Sequence, residues 1–306
     1  MTIPSGKKAR ILGTDQTILD LSAFPGACDC HVHVFGNPRE FPHHPDRVFT
    51  PGEALASDLQ RHMAALGTAR AVIVQPSVYG TDNSCTLDAM RQLGPIARGV
   101  CVIDSDIAEA ELTRLDKAGV RGVRINLRTA GEHDERLSNR KIAEAADRVA
   151  HLGWHVQVYC DRTMLGALAR LVPSLPAVLV LDHFADVRAH DGGDMRHLSS
   201  LMETGRAYVK LSAPHRVSDG PNHVEAAAIA QDLARTHADR LLWGSDWPHP
   251  GVPHGQKRIR DAIEPFQDVD DGMALVRLAD WLGDDDILRR ILVSNPEELY
   301  GFTRKS

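Results

Sequence analysis

The chain has 306 residues, an ordinary length for one α/β barrel with short extensions. Hydrophobic residues make up 43% and charged residues 25%, which is typical of a globular protein, and the net charge of −6 argues against a nucleic-acid partner. The five cysteines have no disulfide spacing, and the sequence has no signal peptide and no apolar run long enough to span a membrane. We therefore expect a cytoplasmic protein. Its oligomeric state is left open between a monomer and a homo-oligomer.

In chain order, residues 1–26 are expected to form a polar arm and residues 27–306 a single domain. The domain contains eight short runs rich in Val, Ile and Leu, as expected for strands that are buried on both faces. These runs are 28–35, 70–76, 99–104, 120–127, 154–160, 178–184, 207–213 and 240–246.

Amphipathic segments of helical period separate the runs. They are 53–66, 84–93, 108–118, 139–151, 162–171, 194–204 and 223–238. Strands that alternate with helices predict a parallel sheet, and eight of them predict a (β/α)8 TIM barrel, here a distorted one. Residues 257–306 are expected to add a helical extension, in which Asn295-Pro296 marks a helix start. A doubly wound sheet would need a glycine-rich turn after the first strand, where the chain has Gly36-Asn37-Pro38.

Polar residues close three of the predicted strands. His31 and His33 alternate on the first strand and so face the barrel interior together, as a metal site or a hydrogen-bonded pair. His183 closes the sixth strand and Asp246 the eighth. Because barrel enzymes gather catalytic groups at the carboxyl ends of strands, these four residues predict a shared site. Asp182 precedes His183 directly and is expected to point to the helix layer instead.

Three segments give a more specific resemblance: CDCHVHVF near the start, DHF at the sixth strand and WGSDWPH at the eighth. They resemble the amidohydrolase superfamily and, within it, the branch with 2-pyrone-4,6-dicarboxylate hydrolase (a lactonase), sugar-lactone hydrolases and galactarolactone isomerase. The resemblance runs from about residue 26 to the C-terminus. It implies that Asp246 is the general base that activates water. It also implies that His31, His33 and His183 polarise a lactone carbonyl, directly or through a metal.

The same resemblance leaves the cofactor open between none and one divalent metal. A single Zn²⁺ would be held by His31, His33, His183 and Asp246, whereas the lactonase of this branch is thought to work without metal. A two-metal centre is not expected, because neither the fourth nor the fifth strand offers the lysine that bridges two metals in other members.

An anionic substrate requires cationic groups, and Arg124, Arg128 and Arg216 all follow or end strands at the predicted mouth. By the resemblance, Arg124 and Arg216 hold substrate carboxylates. Further candidates for substrate binding are Ser77, Tyr159, Phe49 and His249. The chain departs from the branch's lactonase in two places: fewer arginines follow the fourth strand, and Phe49 replaces a tyrosine. Both departures favour a related lactone with fewer carboxylates.

The predicted function is therefore hydrolysis of a carboxylated lactone by water attack on the ester carbonyl, with a small anionic molecule as the partner. Two alternatives stay open, a metal-dependent decarboxylase of the same superfamily and a sugar-lactone isomerase. A non-catalytic ligand-binding barrel is disfavoured, because all four inward polar groups are present.

Overall fold

A computed structural model of the protein describes residues 9–12, 16–189, 192–220, 222–252 and 256–302. Eight parallel strands lie at its centre, and each falls within or next to one of the predicted apolar runs. They are β1 (Cys28–Val32), β2 (Arg70–Val74), β3 (Ala97–Cys101), β4 (Val120–Asn126), β5 (His155–Tyr159), β6 (Leu179–Leu181), β7 (Ala207–Ser212) and β8 (Leu241–Gly244).

The strands follow chain order around a single sheet, from β1 to β8, and all neighbours pair in parallel. Strands β8 and β1 lie side by side and are joined by backbone hydrogen bonds at and just beyond their ends. There the backbone N–H of His33 donates to the Trp247 carbonyl at 2.7 Å, and that of Asp246 donates to the His31 carbonyl at 2.9 Å. This contact, called the seam below, nearly closes the sheet and confirms the predicted distorted barrel.

The seam depends on a close approach of the two backbones. A Cβ atom on Gly244 would lie 2.6 Å from the Cβ of His31 and 2.8 Å from its backbone nitrogen. Only glycine therefore fits at the end of β8. The tight contact brings the residue after β8 against the end of β1, where the candidate catalytic residues lie.

Helices cover the outside of the barrel, and seven of them overlap the seven predicted amphipathic segments. The helices are Ala56–Leu66, Ser84–Leu93, Glu109–Lys117, Leu127–Ala130, Glu135–Val149, Leu165–Leu171, Gly192–Glu203, Val224–His237, Asp271–Leu282, Asp285–Arg289 and Asn295–Tyr300. Their apolar faces pack on the outward residues of the strands to form the main core. In the described residues, no helix is both long and apolar enough to cross a membrane.

The predicted polar arm differs from the structure in its described part. Short strands Ala9–Leu12 and Gln16–Leu19 pair in antiparallel fashion, and a turn of 3-10 helix follows at Leu21–Ala23. Leu21 and Phe24 are buried in the main core, so this part of the arm packs on the barrel. Residues 1–8 and 13–15 of the predicted arm lie outside the described residues.

The helical extension is confirmed, and a helix begins at Asn295 as predicted, with Pro296 in its first turn. It continues a helical run that starts at Asp285, where Asp284 caps the backbone N–H groups of Asp286 and Ile287. Residues Arg290–Ser294 form a π-helical segment just before Pro296. Proline lacks an N–H and clashes with the preceding turn of an α-helix, which is a physical reason for the wider turn here.

Candidate active site

His31 and His33 lie where β1 ends, with their Nε2 atoms 3.3 Å apart. Strand β1 changes register against β2 between Asp29 and Val32, and this irregularity turns both imidazoles inward. His33 Nδ1 donates to the Val74 carbonyl at 2.7 Å, and its Nε2 faces His31 and Asp246. His31 Nδ1 lies 3.2 Å from a carboxylate oxygen of Asp182 and 3.4 Å from Lys210 Nζ. Burial lowers the pKa of His31 to about 3, so its ring is neutral.

Asp246 lies directly beyond β8, with φ at 71°, and is 1% exposed. Its Oδ1 lies 3.6 Å from Nε2 of both His31 and His33, and its Oδ2 accepts from Arg216 Nη2 at 2.7 Å. Burial alone would raise the pKa of this carboxyl, but the positive charge of Arg216 holds it well below its usual range. Asp246 is therefore an ionised carboxylate in a nearly dry site, as a general base or a metal ligand requires.

The ring of His183 also lies beside Asp246, but a turn after a strand, and not the strand itself, places it there. Strand β6 ends at Leu181, and residues 183–186 have φ between 50° and 59°, so the chain turns and brings the ring inward. Nδ1 of His183 lies 2.9 Å from Ser212 Oγ, and its Nε2 lies 3.9 Å from Asp246 Oδ1. Burial lowers the pKa of His183 well below its usual range, so this imidazole is also neutral.

The expectation that Asp182 faces the helix layer is wrong. Val180 faces the barrel interior, and strand alternation places Asp182 on the same side. The predicted direction assumed that β6 continues through His183, whereas the turn begins there. Asp182 Oδ2 instead accepts from Gln157 at 3.1 Å and lies 3.4 Å from Arg124 Nη2.

Lys210 on β7 also faces the barrel interior, next to Asp182, and it was not predicted from the sequence. Its side chain is fully buried, and Nζ donates to Gln157 Oε1 at 2.7 Å. Nζ also lies 3.7 Å from Asp182 Oδ1 and 3.4 Å from His31 Nδ1. Burial would raise the pKa of Asp182, but His31 and Lys210 hold it well below its usual range. Asp182 and Lys210 therefore both lie next to Nδ1 of His31, whereas Asp246 lies on the Nε2 side of the ring.

Two of the three predicted arginines line the pocket above the imidazoles. Arg124 and Arg216 both line it, and each keeps a buried Nε that lacks a hydrogen-bond partner in the described structure. A buried donor without a partner is costly and is usually satisfied by water or a ligand. Arg128 lies at the rim, where Nη1 pairs with Asp161 at 3.1 Å and with Asp186.

The remaining predicted binding residues divide in the same way. Ser77, Tyr159 and Phe49 line the pocket, and the Tyr159 ring packs edge-on against His183 at 5.0 Å between centroids. His249 is not brought to it. The backbone N–H of His249 bonds to the Asp246 carbonyl at 2.7 Å in a tight turn, and its ring points to Asp271, 2.9 Å away.

Other pocket residues were absent from the sequence argument. They are Pro76, Asn126, Thr129, Pro250 and Arg258. Thr129 lies in the short helix Leu127–Ala130, and the other four lie in loops or at a strand end, where no apolar pattern fixes the direction of a side chain. Lys210 did have a signal, since it stands alone in the otherwise apolar run that ends in VKLS.

The donor set fits one metal ion. The Nε2 atoms of His31 and His33 and one oxygen of Asp246 form a group whose ligand atoms lie within 4.8 Å of one another. Their separations of 3.3 and 3.6 Å resemble the edges, about 3.3 Å, of a tetrahedron with zinc–nitrogen bonds of 2.0–2.1 Å. Two imidazole nitrogens and a carboxylate oxygen face each other here, an arrangement that a cation or a shared proton stabilises.

A parallel barrel with three imidazoles and a buried aspartate at the ends of β1, β6 and β8 defines the class of amidohydrolase-type enzymes. A family model described as amidohydrolase matches residues 28–302. The chain belongs to this family and is an enzyme of it.

Three relatives with named activities and one solved structure are similar to this chain over most of its length. A 2-pyrone-4,6-dicarboxylate hydrolase of Comamonas testosteroni is 33% identical, covering 90% of each chain. A 4-sulfomuconolactone hydrolase of Hydrogenophaga intermedia is 31% identical, covering 92% of this chain and 90% of the relative. A D-galactarolactone isomerase of Agrobacterium fabrum is 30% identical, covering 91% and 92%. A crystal structure from Agrobacterium tumefaciens superposes with a TM-score of 0.78 at 26% identity, covering 92% of this chain and 98% of that one.

Proposed function

We propose that this protein hydrolyses a lactone bearing carboxylate groups by adding water to the ester carbonyl. The observation that supports the proposal is Asp246, an ionised and buried carboxylate between three imidazoles and Arg216. Two of the relatives are named as lactone hydrolases, which agrees with this chemistry.

In this reaction Asp246 Oδ1 takes a proton from water while the water oxygen bonds to the carbonyl carbon. The ring C–O bond then breaks, and the departing oxygen receives the proton from Asp246. The free oxygen of Asp246 is the one near the imidazoles, because Oδ2 is held by Arg216 at 2.7 Å. Arg216 thereby fixes which oxygen acts as the base.

His31 and His33 direct their Nε2 atoms to the site, because their Nδ1 atoms are turned to Asp182 and to the Val74 carbonyl. They polarise the carbonyl oxygen as hydrogen-bond donors or, with a cation bound, as its ligands. A divalent ion such as Zn²⁺, if bound there, would supply Lewis-acid chemistry toward the carbonyl and the attacking water. We propose that these two residues and Asp246 hold it.

The substrate's carboxylate is held by the buried Nε groups of Arg124 and Arg216, which lack partners in the described structure. Guanidinium groups form parallel hydrogen bonds to carboxylates, which fixes the ring relative to the base. Ser77 and Tyr159 line the same pocket and offer hydroxyl groups to the lactone.

The test is the initial rate of hydrolysis of 2-pyrone-4,6-dicarboxylate and of 4-sulfomuconolactone. Asp246→Asn should lower kcat by about 10³-fold or more while KM changes little, since the base acts in the transition state. Asp239→Asn, at the opposite end of β8 and exposed, is the matched control. Full activity in Asp246→Asn, or no turnover of any carboxylated lactone by the unmodified protein, contradicts the proposal.

Lactone isomerisation is the second candidate, favoured by the D-galactarolactone isomerase relative. An isomerase moves the ring closure without adding water, so the two reactions differ in their oxygen balance. Reaction in ¹⁸O-labelled water separates them, because hydrolysis places one label in the new carboxylate and direct isomerisation places none. Release of CO₂ would point instead to the decarboxylase alternative.

A further inference from the structure

A third arginine lines the pocket, in addition to Arg124 and Arg216. Arg258 lies in the loop beyond β8 and lines the pocket together with Phe49, Arg216 and Asp246. The carbon at the centre of its guanidinium group lies 3.5 Å from the centroid of the Phe49 ring. A guanidinium stacked on an aromatic face is held in a fixed plane, which preorganises its N–H groups.

Glu264 fixes the same guanidinium from one edge. Arg258 Nε donates to Glu264 Oε2 at 2.8 Å, and Nη2 donates to Oε1. The glutamate side chain is 5% exposed, whereas the arginine is 22% exposed. An arginine has five N–H groups, and this bidentate pair uses two of them. In the described part of the chain, the pair with Glu264 accounts for the polar side-chain contacts of Arg258, so Nη1 remains available.

The two loops that carry Phe49 and Arg258 are joined to each other. Strand residues Thr50–Pro51 pair in parallel with Ile263–Glu264. Thr50 Oγ1 also donates to the Arg260 carbonyl. This joined pair of loops forms a cap over the pocket, and Arg258 is the cationic residue that the cap adds to the pocket wall.

Arg258 differs in its surroundings from Arg128, the predicted cation of the loop after β4. Arg128 is paired with Asp161 and Asp186 at the rim. Arg258 instead lines the pocket and stacks on the Phe49 ring.

We propose that Arg258 binds a second anionic group of the substrate, so that the site is specific for lactones with two anionic groups. The inference rests on the proposed function, in which Arg124 and Arg216 hold the first group. A carboxylate or sulfonate on the side of the ring facing the cap accepts from Nη1 of Arg258. Arg258 is a residue of specificity that binds the substrate and takes no part in the proton transfer.

The test uses two ligands that the enzyme cannot hydrolyse, benzene-1,3-dicarboxylate and benzoate. The first carries two carboxylates separated by one ring atom, as a 4,6-dicarboxylated six-membered lactone does, and the second lacks one of them. Calorimetry measures both affinities in the unmodified protein, in Arg258→Met and in Arg258→Lys. Arg260→Met is the matched control, because that neighbouring side chain is exposed and does not line the pocket.

Arg258→Met should weaken binding of the dicarboxylate by about 10- to 100-fold and change benzoate binding by less than about 3-fold, since it removes one charge-assisted hydrogen-bond partner. Arg258→Lys should recover only part of the loss, because lysine does not form the planar pair with Glu264. Arg260→Met should match the unmodified protein.

Three results overturn the inference: no binding of the dicarboxylate by the unmodified protein, unchanged dicarboxylate binding in Arg258→Met, or equal losses for both ligands. Turnover is measured separately. A protein that binds the dicarboxylate through Arg258 but hydrolyses no lactone refutes the proposed reaction and leaves the anion site standing.

Discussion

Replacing Lys210 with methionine tests whether the buried charges behind His31 act as a unit. Lys210 Nζ lies 3.7 Å from Asp182 Oδ1, and both side chains are fully buried. At an effective dielectric constant of ~20, two unit charges at this distance interact by about 4 kcal/mol. Removing one partner of a buried pair typically costs ~3–5 kcal/mol, because the other charge is left in the protein interior.

We therefore expect Lys210→Met to lower the free energy of unfolding by about 3–5 kcal/mol. Lys210→Met combined with Asp182→Asn should lose less than the sum of the single changes, with a coupling of about 2 kcal/mol or more. Urea unfolding at pH 7.5 measures all four proteins. The kcat of Lys210→Met should also fall, because His31 loses the carboxylate geometry that orients its ring. A loss of stability under 1 kcal/mol, or strictly additive single changes, would refute this account of the charge network.

Three further predictions use other parts of the structure. Hydrogen bonding to Asp271 raises the pKa of His249 against the opposing effect of burial, so the pair should stabilise the fold most below about pH 6.5 and less as pH rises through the raised pKa. Unfolding curves should accordingly show a larger deficit for Asp271→Asn at pH 5.5 than at pH 9, and an equal deficit at both contradicts the assignment. Gly244→Ala should lower the thermal midpoint by several degrees and reduce kcat, since its methyl group meets His31 at 2.6 Å; a midpoint within one degree of wild type argues against a tight seam. Elemental analysis should find about one Zn²⁺ or similar ion per chain that His33→Asn lacks, and a metal-free yet fully active protein would assign the cluster to a shared proton.

The barrel and the four central residues could be predicted because strong local patterns specify them. Apolar runs of strand length alternate with amphipathic segments, and a polar residue that closes such a run marks the end of a barrel strand. His31, His33, His183 and Asp246 all meet in the structure. The direction of each side chain was harder to predict, because the alternation of inward and outward residues along a strand fails where the backbone conformation changes.

Two such changes explain what the sequence did not reveal. The register shift in β1 lets the Cys30 side chain and the following imidazole both face inward, and the left-handed turn at residues 183–186 places Asp182 and His183 in one interior. Lys210 lies two residues after Tyr208, whose side chain faces inward, so strand alternation predicts that Lys210 also faces inward. Arg258 was out of reach, because the pairing of two distant loops determines its position.

Because the seam joins β1 and β8, the site is assembled only while the barrel is closed at this place. Two backbone hydrogen bonds, from His33 to Trp247 and from Asp246 to His31, join the barrel's first and last strands, and the same residues bear the reacting side chains. Any local opening of the barrel at this place separates the carboxylate from the imidazoles. Amide hydrogen exchange at His33 and Asp246 would thus report the fraction of molecules whose site is assembled. A bound substrate that spans both strands would slow that exchange, so ligand affinity and closure of the barrel rise together.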